Sequence, residues 1–308
     1  MQIGMRVSCL LLSALFLSGC DEWALAGSSD RYKDDFHFTY PLTATGRVEV
    51  ENFNGSVEIS GWDQDNVDIS GTKYANTPER LKEVKVDIAA SPGSVTIRTA
   101  RPLDRRGNAG ARYTIRVPKR AELASIATSN GPIRVEFMEG MVHLKTSNGP
   151  VRTRATSGGL DVQTSNGPVE ISDAIGPASL RTSNGPIRAE VRRGNLVAVT
   201  SNGSITVRLI DPDTTPVRVQ SSNGNIEVEL DHARDVHAET SNSSITIKLP
   251  PSVDADLHAR TSNGSINSDF DVTTHGAISK NRLEGTIGKG GPLLDLATSN
   301  GRIRLLRM

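Results

Sequence analysis

The stretch TSNGPIRVEFMEGMVHLKTSNGPVRTRATSGGLDVQTSNGP, residues 128–168, decides the fold because it contains one tetrapeptide three times. Thr-Ser-Asn-Gly returns here every 18 residues, and related copies follow at longer steps toward residue 300. The longest step, 37 residues between Asn263 and Asn300, is close to twice 18 and predicts a degenerate copy near Asn281. The asparagines of the clear copies are Asn130, Asn148, Asn166, Asn184, Asn202, Asn223, Asn242, Asn263 and Asn300.

Within one repeat, apolar and polar residues alternate with a period of two. Ile133, Val135 and Phe137 fall on one side of the chain, and Arg134 and Glu136 fall on the other. Such alternation in short runs bounded by glycine is typical of half-buried strands. Each repeat is therefore expected to form strand, turn, strand, turn.

Equivalent positions stay apolar from one repeat to the next. Two residues before each repeated Thr or Ser stand Leu144, Val162, Leu180, Ala198, Val219, Ala238, Ala259 and Leu296. Equivalent strands with the same inward face stack in parallel at about 4.8 Å per coil. The sequence predicts an all-β fold, a single-stranded parallel β-solenoid with coils of about 18 residues that stack in chain order. Its last strand, Arg302–Met308, would then lie at an exposed end.

Two other repeat folds fit the pattern less well. The left-handed hexapeptide acyltransferases place one inward residue every six positions, whereas apolar residues here come at spacing two. Ice-binding solenoids need an outward column of threonines, whereas the alternation points these threonines inward.

The repeated Asn lies where the inward alternation is interrupted, which indicates a corner at Asn148-Gly149-Pro150. Glycine is expected there for a positive φ, and stacked asparagines for a ladder of side-chain amides. This interpretation makes the ladder structural, because every coil needs a corner. The alternative is a polar binding groove lined by Ser and Asn.

The first twenty residues resemble a bacterial lipoprotein signal peptide. Arg6 precedes the apolar run Val7–Leu17, and the run ends in Leu17-Ser18-Gly19-Cys20, which resembles a lipobox. Such a signal leads to acylation of Cys20 and to membrane anchoring. The alternative is an ordinary signal peptide with a chance cysteine.

The remaining boundaries follow from composition. Residues 21–43 are polar and are expected to form a tether, 44–118 an N-terminal β-rich cap or wider coils, and 119–308 the solenoid. In the cap, Thr77 followed by Pro78 predicts a short helical turn over 78–83.

Composition argues against several functional classes. Lys plus Arg and Asp plus Glu are 35 each, so no basic excess favours nucleic acid as a partner. Both cysteines, Cys9 and Cys20, lie in the first twenty residues, which leaves no disulfide or thiolate metal site for the folded part. His237 and His258 share an outward column, and we expect them on successive coils without a third ligand. No catalytic residue, metal or cofactor is predicted.

Three stretches resemble the bacterial DUF4097 family, whose members are often labelled adhesins. They are NFNGSVEISGWDQDNVDISG at 52–71, the TSNG repeats of 128–303, and GTIGKGGPLLDLATSNGRIRL at 285–305. The resemblance implies coils of parallel strands, taken as right-handed, on exported or membrane-linked proteins. It implies no catalytic residue.

Together these observations predict a non-enzymatic, lipid-anchored β-solenoid of the bacterial cell envelope that acts as an adhesion or binding scaffold. Its expected partners are the membrane, through lipidated Cys20, and a macromolecule of the envelope or of another cell. One alternative is a periplasmic envelope-stress or signalling accessory that binds a membrane protein. Another is a carbohydrate-active β-helix enzyme.

Overall fold

The computed structural model describes residues 30–102, 108–211, 213–274 and 279–308. These residues form 27 strands and one short helix. In chain order the elements are β1 (Tyr32–Pro41), β2 (Arg47–Asn54), β3 (Val57–Trp62), β4 (Asn66–Ala75), α1 (Pro78–Glu83), β5 (Lys85–Ser91), β6 (Ser94–Ala100), β7 (Ala109–Pro118), β8 (Glu122–Asn130), β9 (Ile133–Met138), β10 (Val142–Thr146), β11 (Val151–Thr156), β12 (Leu160–Gln163), β13 (Val169–Ile175), β14 (Ala178–Arg181), β15 (Ile187–Arg193), β16 (Leu196–Thr200), β17 (Ile205–Leu209), β18 (Val217–Ser221), β19 (Ile226–Leu230), β20 (Val236–Thr240), β21 (Ile245–Leu249), β22 (Ala255–Thr261), β23 (Ile266–Ser268), β24 (Val272–Thr274), β25 (Arg282–Ile287), β26 (Leu293–Thr298) and β27 (Ile303–Arg307).

The strands form two sheets that enclose one core. Sheet 1 has thirteen strands in the order β1-β4-β7-β3-β9-β11-β13-β15-β17-β19-β21-β27-β23. Sheet 2 has fourteen, in the order β24-β25-β22-β26-β20-β18-β16-β14-β12-β10-β8-β2-β6-β5. A layer is one strand of sheet 2 followed along the chain by one strand of sheet 1. Layers stack in parallel, which confirms the predicted parallel β-solenoid.

The side chains that were expected to point inward do fill the core between the sheets. Val151 pairs with Ile133 on one side and with Val169 on the other, and all three are buried. Leu180, in the equivalent position of sheet 2, is fully buried as well. The thin core is thus a stack of Val, Ile, Leu and Ala rows.

Phe137 departs from the predicted alternation. Its φ is +59°, its side chain is 42% exposed, and Met138 occupies the core in its place. Ala155 and Asp173 take the same left-handed conformation one and two layers further on. The expected inward position of Phe137 is wrong, because this left-handed residue shifts the alternation by one before the turn.

The order of the layers differs from the order of the chain at both ends. The layer β26/β27 lies between β20/β21 and β22/β23, with parallel pairing on both sides. Near the other end, β2/β3 lies between β6/β7 and β8/β9. Stacking in chain order is therefore wrong at these two places. Arg302–Met308 does not form an exposed end, since β27 has a neighbour on each side.

The long step between Asn263 and Asn300 does not contain another repeat. Strand β25 runs antiparallel to β22 and β24, and Asn281 lies in the turn just before it. The predicted degenerate copy near Asn281 is wrong. This segment instead covers the end of sheet 2.

The chain before the repeats also belongs to the sheets. Residues 32–41, predicted as part of a tether, form β1 and pair antiparallel with β4. That part of the tether prediction is wrong. The helix over 78–83 is confirmed, with Thr77 as its N-cap. The parallel stack already includes β2, within the segment 44–118 assigned to a cap.

The predicted signal peptide, Cys20 and residues 21–29 lie outside the described residues. Among the described residues, no helix has the length and apolar character needed to span a bilayer.

Candidate functional site

The repeated asparagines form one continuous row of side chains along a corner of the stack. Eight of the nine side-chain amides donate to Oδ1 of the asparagine in a neighbouring layer, at 2.7–2.9 Å, and Asn130, the first of the row, donates to the carbonyl of Phe53. All nine asparagines are exposed. The row runs in the order Asn130, Asn148, Asn166, Asn184, Asn202, Asn223, Asn242, Asn300 and Asn263.

Beneath the asparagines runs a buried row of hydroxyl groups. The hydroxyl of Thr182 donates to the carbonyl of Gly167 in the preceding layer at 3.3 Å, and the amide N of Gly185 donates to that hydroxyl at 3.2 Å. Thr146, Thr200 and the other repeated Thr or Ser make the same contact between layers. These hydrogen bonds satisfy polar groups of the corner backbone away from water.

The corner glycines serve close stacking rather than an unusual backbone conformation. A Cβ on Gly185 would lie 1.9 Å from the carbonyl oxygen of Gly167. The positive-φ glycines are others, such as Gly176 and Gly194 at a different turn. The expected positive φ at the Asn-Gly corner is therefore wrong, because contact between successive layers sets the requirement there.

The outward face of sheet 1 carries charges that pair between neighbouring layers. Arg152 Nε lies 2.7 Å from Glu170 Oε2, and Arg208 Nε lies 3.3 Å from Glu229 Oε1. Lys248 Nζ lies 2.7 Å from Glu227 Oε1, and this hydrogen bond raises the pKa of Lys248. Exposed pairs of this kind help to set strand register and add little stability.

Beside these pairs lies a shallow hollow with an excess of arginine. It is lined by residues including Arg134, Arg152, Arg154, Glu170 and Arg188. The guanidinium of Arg154 stacks over the exposed ring of Phe137, at 5.1 Å from its centroid. Such a surface offers planar donors and an aromatic edge to a ligand that lies across several layers.

The histidine column differs from the prediction. Asp295 of β26 lies between His237 and His258, since it is the register partner of both. His237 Nδ1 is 2.8 Å from Asp295 Oδ2. The two histidines are thus not on successive layers, because the inserted layer separates them. Over the described ranges, no group of three or more His, Cys, Asp or Glu side chains is arranged to hold a metal.

One polar cluster was not predicted from the sequence. Asp68 of β4 accepts from Arg116 Nη2 at 2.8 Å and lies 2.5 Å from Nε2 of His37. The hydrogen bond from Arg116, followed by the one from His37, lowers the pKa of Asp68 to about 2. The Arg116 guanidinium also stacks on Trp62, at 4.6 Å. No local signal indicates this cluster, because its four residues come from four separate strands.

A buried arginine contacts the enlarged coil that precedes its own. Arg234 is 1% exposed and donates from Nη2 to the carbonyl of Asp211 at 2.7 Å. Burial lowers its pKa. Asp211 lies in the enlarged step of 21 residues between Asn202 and Asn223, which is the sequence signal that the coil contacted by Arg234 differs from the 18-residue repeats.

The outer surface of the stack can contact a ligand over a long distance. Its polar groups recur at the layer spacing of about 4.8 Å, as an amide row on one corner and as charge pairs on sheet 1. Repetition of this kind suits a partner that touches many layers through weak contacts. Other repeat proteins bind their partners in this way, through extended faces.

Comparison with known proteins gives a family. A family model described as Toastrack DUF4097 matches residues 47–306. A "putative cell adhesion protein" from Clostridium sporogenes is 10% identical, with a TM-score of 0.23, and the match covers 89% of this chain and 100% of that one. A "putative adhesin" from Bacteroides fragilis is 11% identical, with a TM-score of 0.39, covering 89% and 97%. No curated protein matches the chain.

Proposed function

Since this chain belongs to the Toastrack DUF4097 family, we propose that it is a non-enzymatic binding scaffold of the bacterial cell envelope, anchored through a lipid on Cys20. The observation that carries this proposal is the regularity of the stack. The stack has eleven parallel layers, and nine of them present the same asparagine corner between the same two outward faces. A macromolecule can use such a surface by extended area, without an enclosed pocket.

The anchor and the stack have a simple spatial relation. Eleven residues lie between Cys20 and the start of β1 at Tyr32, a reach of at most about 40 Å. Eleven layers at about 4.8 Å extend the stack by roughly 50 Å. A lipid on Cys20 would therefore keep the N-terminal layers near the bilayer and carry the layers around Asn263 away from it.

The binding face is expected to be the outward face of sheet 1, around Arg152 and Arg188. These arginines line the same hollow as Arg154, whose guanidinium stacks on Phe137, and Arg188 is exposed. An acidic stretch of an envelope protein or an anionic polymer lying across the layers would meet several guanidinium groups at once.

The proposal can be tested with a photo-crosslinking residue in living cells. Placed at position 188, it should capture one specific envelope macromolecule, and reversing the charges of Arg134 and Arg152 to Glu should abolish capture. A crosslinker at position 218, on the exposed face of sheet 2, is the matched control. Equal capture at both positions would contradict the assigned face. A captured membrane sensor would favour the signalling accessory over adhesion.

The enzyme alternative needs a separate assay. Purified residues 21–308 are incubated with peptidoglycan and common polysaccharides, and products are analysed by mass spectrometry. Reproducible product formation that one Asp or Arg substitution abolishes would overturn the scaffold.

A further inference from the structure

One layer of the stack is supplied by a segment from further along the chain. We call Leu293–Arg307 the insert, and we call the space that it fills, between β20/β21 and β22/β23, the slot. The slot has two walls made of parallel strands. Each wall offers unpaired backbone groups and apolar side chains to whatever lies between them.

The insert contacts both walls of the slot by backbone hydrogen bonds. The amide N of Ile245 donates to the carbonyl of Arg302 at 2.9 Å, and the amide N of Ile303 donates to the carbonyl of Ser265 at 3.0 Å. Strand β26 pairs with β20 and β22 in the same way. The insert is therefore held by its backbone on both edges, as every interior layer is.

Side chains add recognition to the backbone pairing. Leu294, Leu296, Ile303 and Leu305 of the insert have no exposed surface, so the core rows continue through the slot. On the outside, Asp295 of the insert lies 2.8 Å from His237 of the wall. The slot thus selects a segment with the repeat sequence and with a carboxylate opposite His237.

A short glycine-rich linker joins the insert to the rest of the chain. It comprises Gly288–Pro292 and passes around the start of β22, where the amide N of Lys289 donates to Asp254 Oδ1 at 2.9 Å. Gly288 and Gly290 have φ values of +61° and +79°, a conformation that glycine adopts readily. Apart from this linker, the insert would make the same contacts in the slot of another molecule.

From these contacts we propose that two copies of this chain exchange their inserts, so that each insert fills the slot of the other copy. The occupant is a second copy because its insert has the same sequence and would meet the walls with the same repeat register and the same Asp295 carboxylate opposite His237. Exchange of identical elements produces a closed, two-fold dimer. From Ile287 to Leu293 the linker spans at most about 20 Å, so the two slots must lie close together.

The dimer would join two stacks by their ends distant from β1. This arrangement rests on the proposed function only in one respect, the anchoring of each copy near its N-terminal layers. With that anchor, insert exchange would link copies on facing membranes and give a homotypic adhesive contact. The exchange itself depends on the slot and the linker alone.

The first experiment detects exchange by crosslinking. Residues 21–308 contain every described strand and no cysteine, so single cysteines can be placed at will. One population carries His237→Cys and the other Asp295→Cys, which are register partners across the slot wall. The two are mixed, unfolded together, refolded at high concentration and treated with a short bis-maleimide. Exchange predicts a crosslinked heterodimer whose yield rises with protein concentration.

The control uses an equivalent pair in an uninterrupted part of the stack. His143 and Asp161 are register partners on β10 and β12, layers that follow each other directly in the chain. A mixture of His143→Cys and Asp161→Cys chains should give no heterodimer. A yield for the slot pair no higher than for this control would overturn the proposal.

A second variant tests the linker. Deleting Lys289 and Gly290 should prevent the insert from passing around β22 within its own chain, so the mass measured by light scattering should double. Adding two glycines at the same place should leave a monomer. A folded, monomeric deletion variant would contradict exchange. If that variant does not fold, the crosslinking result decides alone.

Vesicles carrying the lipidated full chain separate exchange from adhesion. Clustering that excess soluble residues 21–308 inhibit would support the homotypic contact. Absence of clustering together with a positive crosslink would support exchange and overturn only the adhesive arrangement.

Discussion

The side-chain amide of Asn300 donates to Oδ1 of Asn242 at 2.9 Å, although 58 residues separate them in the chain. Asn300 in turn accepts from Asn263 at 2.8 Å. These distances equal those between asparagines of layers that are neighbours in sequence, such as Asn184 and Asn166. The amide row is therefore a property of the stack and continues where the chain order does not.

Replacing a core residue with a charge should destabilise the stack strongly. Leu180 has no exposed surface and belongs to the hydrophobic core, so Leu180→Asp should lower the free energy of unfolding by about 4 kcal/mol or more. Thr206→Asp places the same side chain on the outward face and should cost less than about 0.5 kcal/mol. Urea unfolding followed by circular dichroism measures both. Similar losses in the two variants would show that the inward register is wrong.

A methyl group at the corner glycine should push two layers apart. Gly185→Ala would place Cβ 1.9 Å from the backbone carbonyl of Gly167, and backbone cannot move aside as a flexible side chain can. We expect a loss of about 1–3 kcal/mol, typical of overpacking. The control is Gly93→Ala, where no atom lies within 4 Å of the new Cβ. Thermal melts should show a large decrease in Tm for the first variant alone.

The buried hydroxyl row should matter more for stability than the exposed amide row. Thr182→Val leaves the buried carbonyl of Gly167 without this donor and should cost about 1–3 kcal/mol. Asn184→Ala removes two exposed hydrogen bonds that water can replace, and it should cost about 1 kcal/mol or less. Chemical denaturation of both variants shows which one loses more free energy of unfolding. A larger loss for Asn184→Ala would assign the corner's stability to the amides.

Acid should remove the contribution of Asp68. Because its folded pKa of about 2 lies below the ordinary 3.8, the ionised carboxylate stabilises the fold fully above about pH 4. The contribution, about 2 kcal/mol, is lost as the pH falls from 4 toward 2. Asp68→Asn should therefore be less stable than the wild type at pH 7, and the difference should narrow across that window.

The control for this measurement is Asp63→Asn. Asp63 is 83% exposed and pairs with Lys119 on the surface. Its substitution should leave the acid dependence of unfolding nearly as in the wild type. If Asp68→Asn also left the acid dependence of unfolding unchanged, the Arg116–Asp68–His37 cluster would not stabilise the fold.

Acylation of Cys20 should determine where the protein fractionates. Wild-type chain should partition with membranes and incorporate a labelled fatty acid, whereas Cys20→Ser should lose the label and stay unprocessed or become soluble. Cleaved Cys20→Ser protein that still fractionates like the wild type would contradict the lipobox interpretation.

The repeat columns made the layers predictable, because burial of Leu180 or Val162 follows from local alternation in the sequence. The order of the layers was not predictable in this way. The insert carries the same kind of inward residues as the other repeats, so the core columns alone do not indicate which two layers it lies between. Only the step of 37 residues before Asn300 indicates that the chain departs from the regular repeat there.

The position of the corner was predicted correctly, but the reason why it needs glycine was not. Glycine at the Asn-Gly step suggested a positive φ, a local property, whereas the requirement comes from a carbonyl one layer away. The position of Asp295 between His237 and His258 likewise depends on which layers are neighbours and not on the local sequence. Properties that depend on which layers are neighbours need the three-dimensional stack.

The displaced insert determines when the last layers can fold during synthesis of the chain. Layers from β10/β11 to β20/β21 can form as they emerge from the ribosome or translocon, since each packs on the layer made 18–21 positions earlier. β22/β23 emerges before its supporting layer and must wait until residues 293–307 arrive. Closing this longer loop raises the contact order of the last step and slows it. The rate at which a nascent chain becomes fully folded is therefore expected to depend on this one closure, however quickly the earlier repeats assemble.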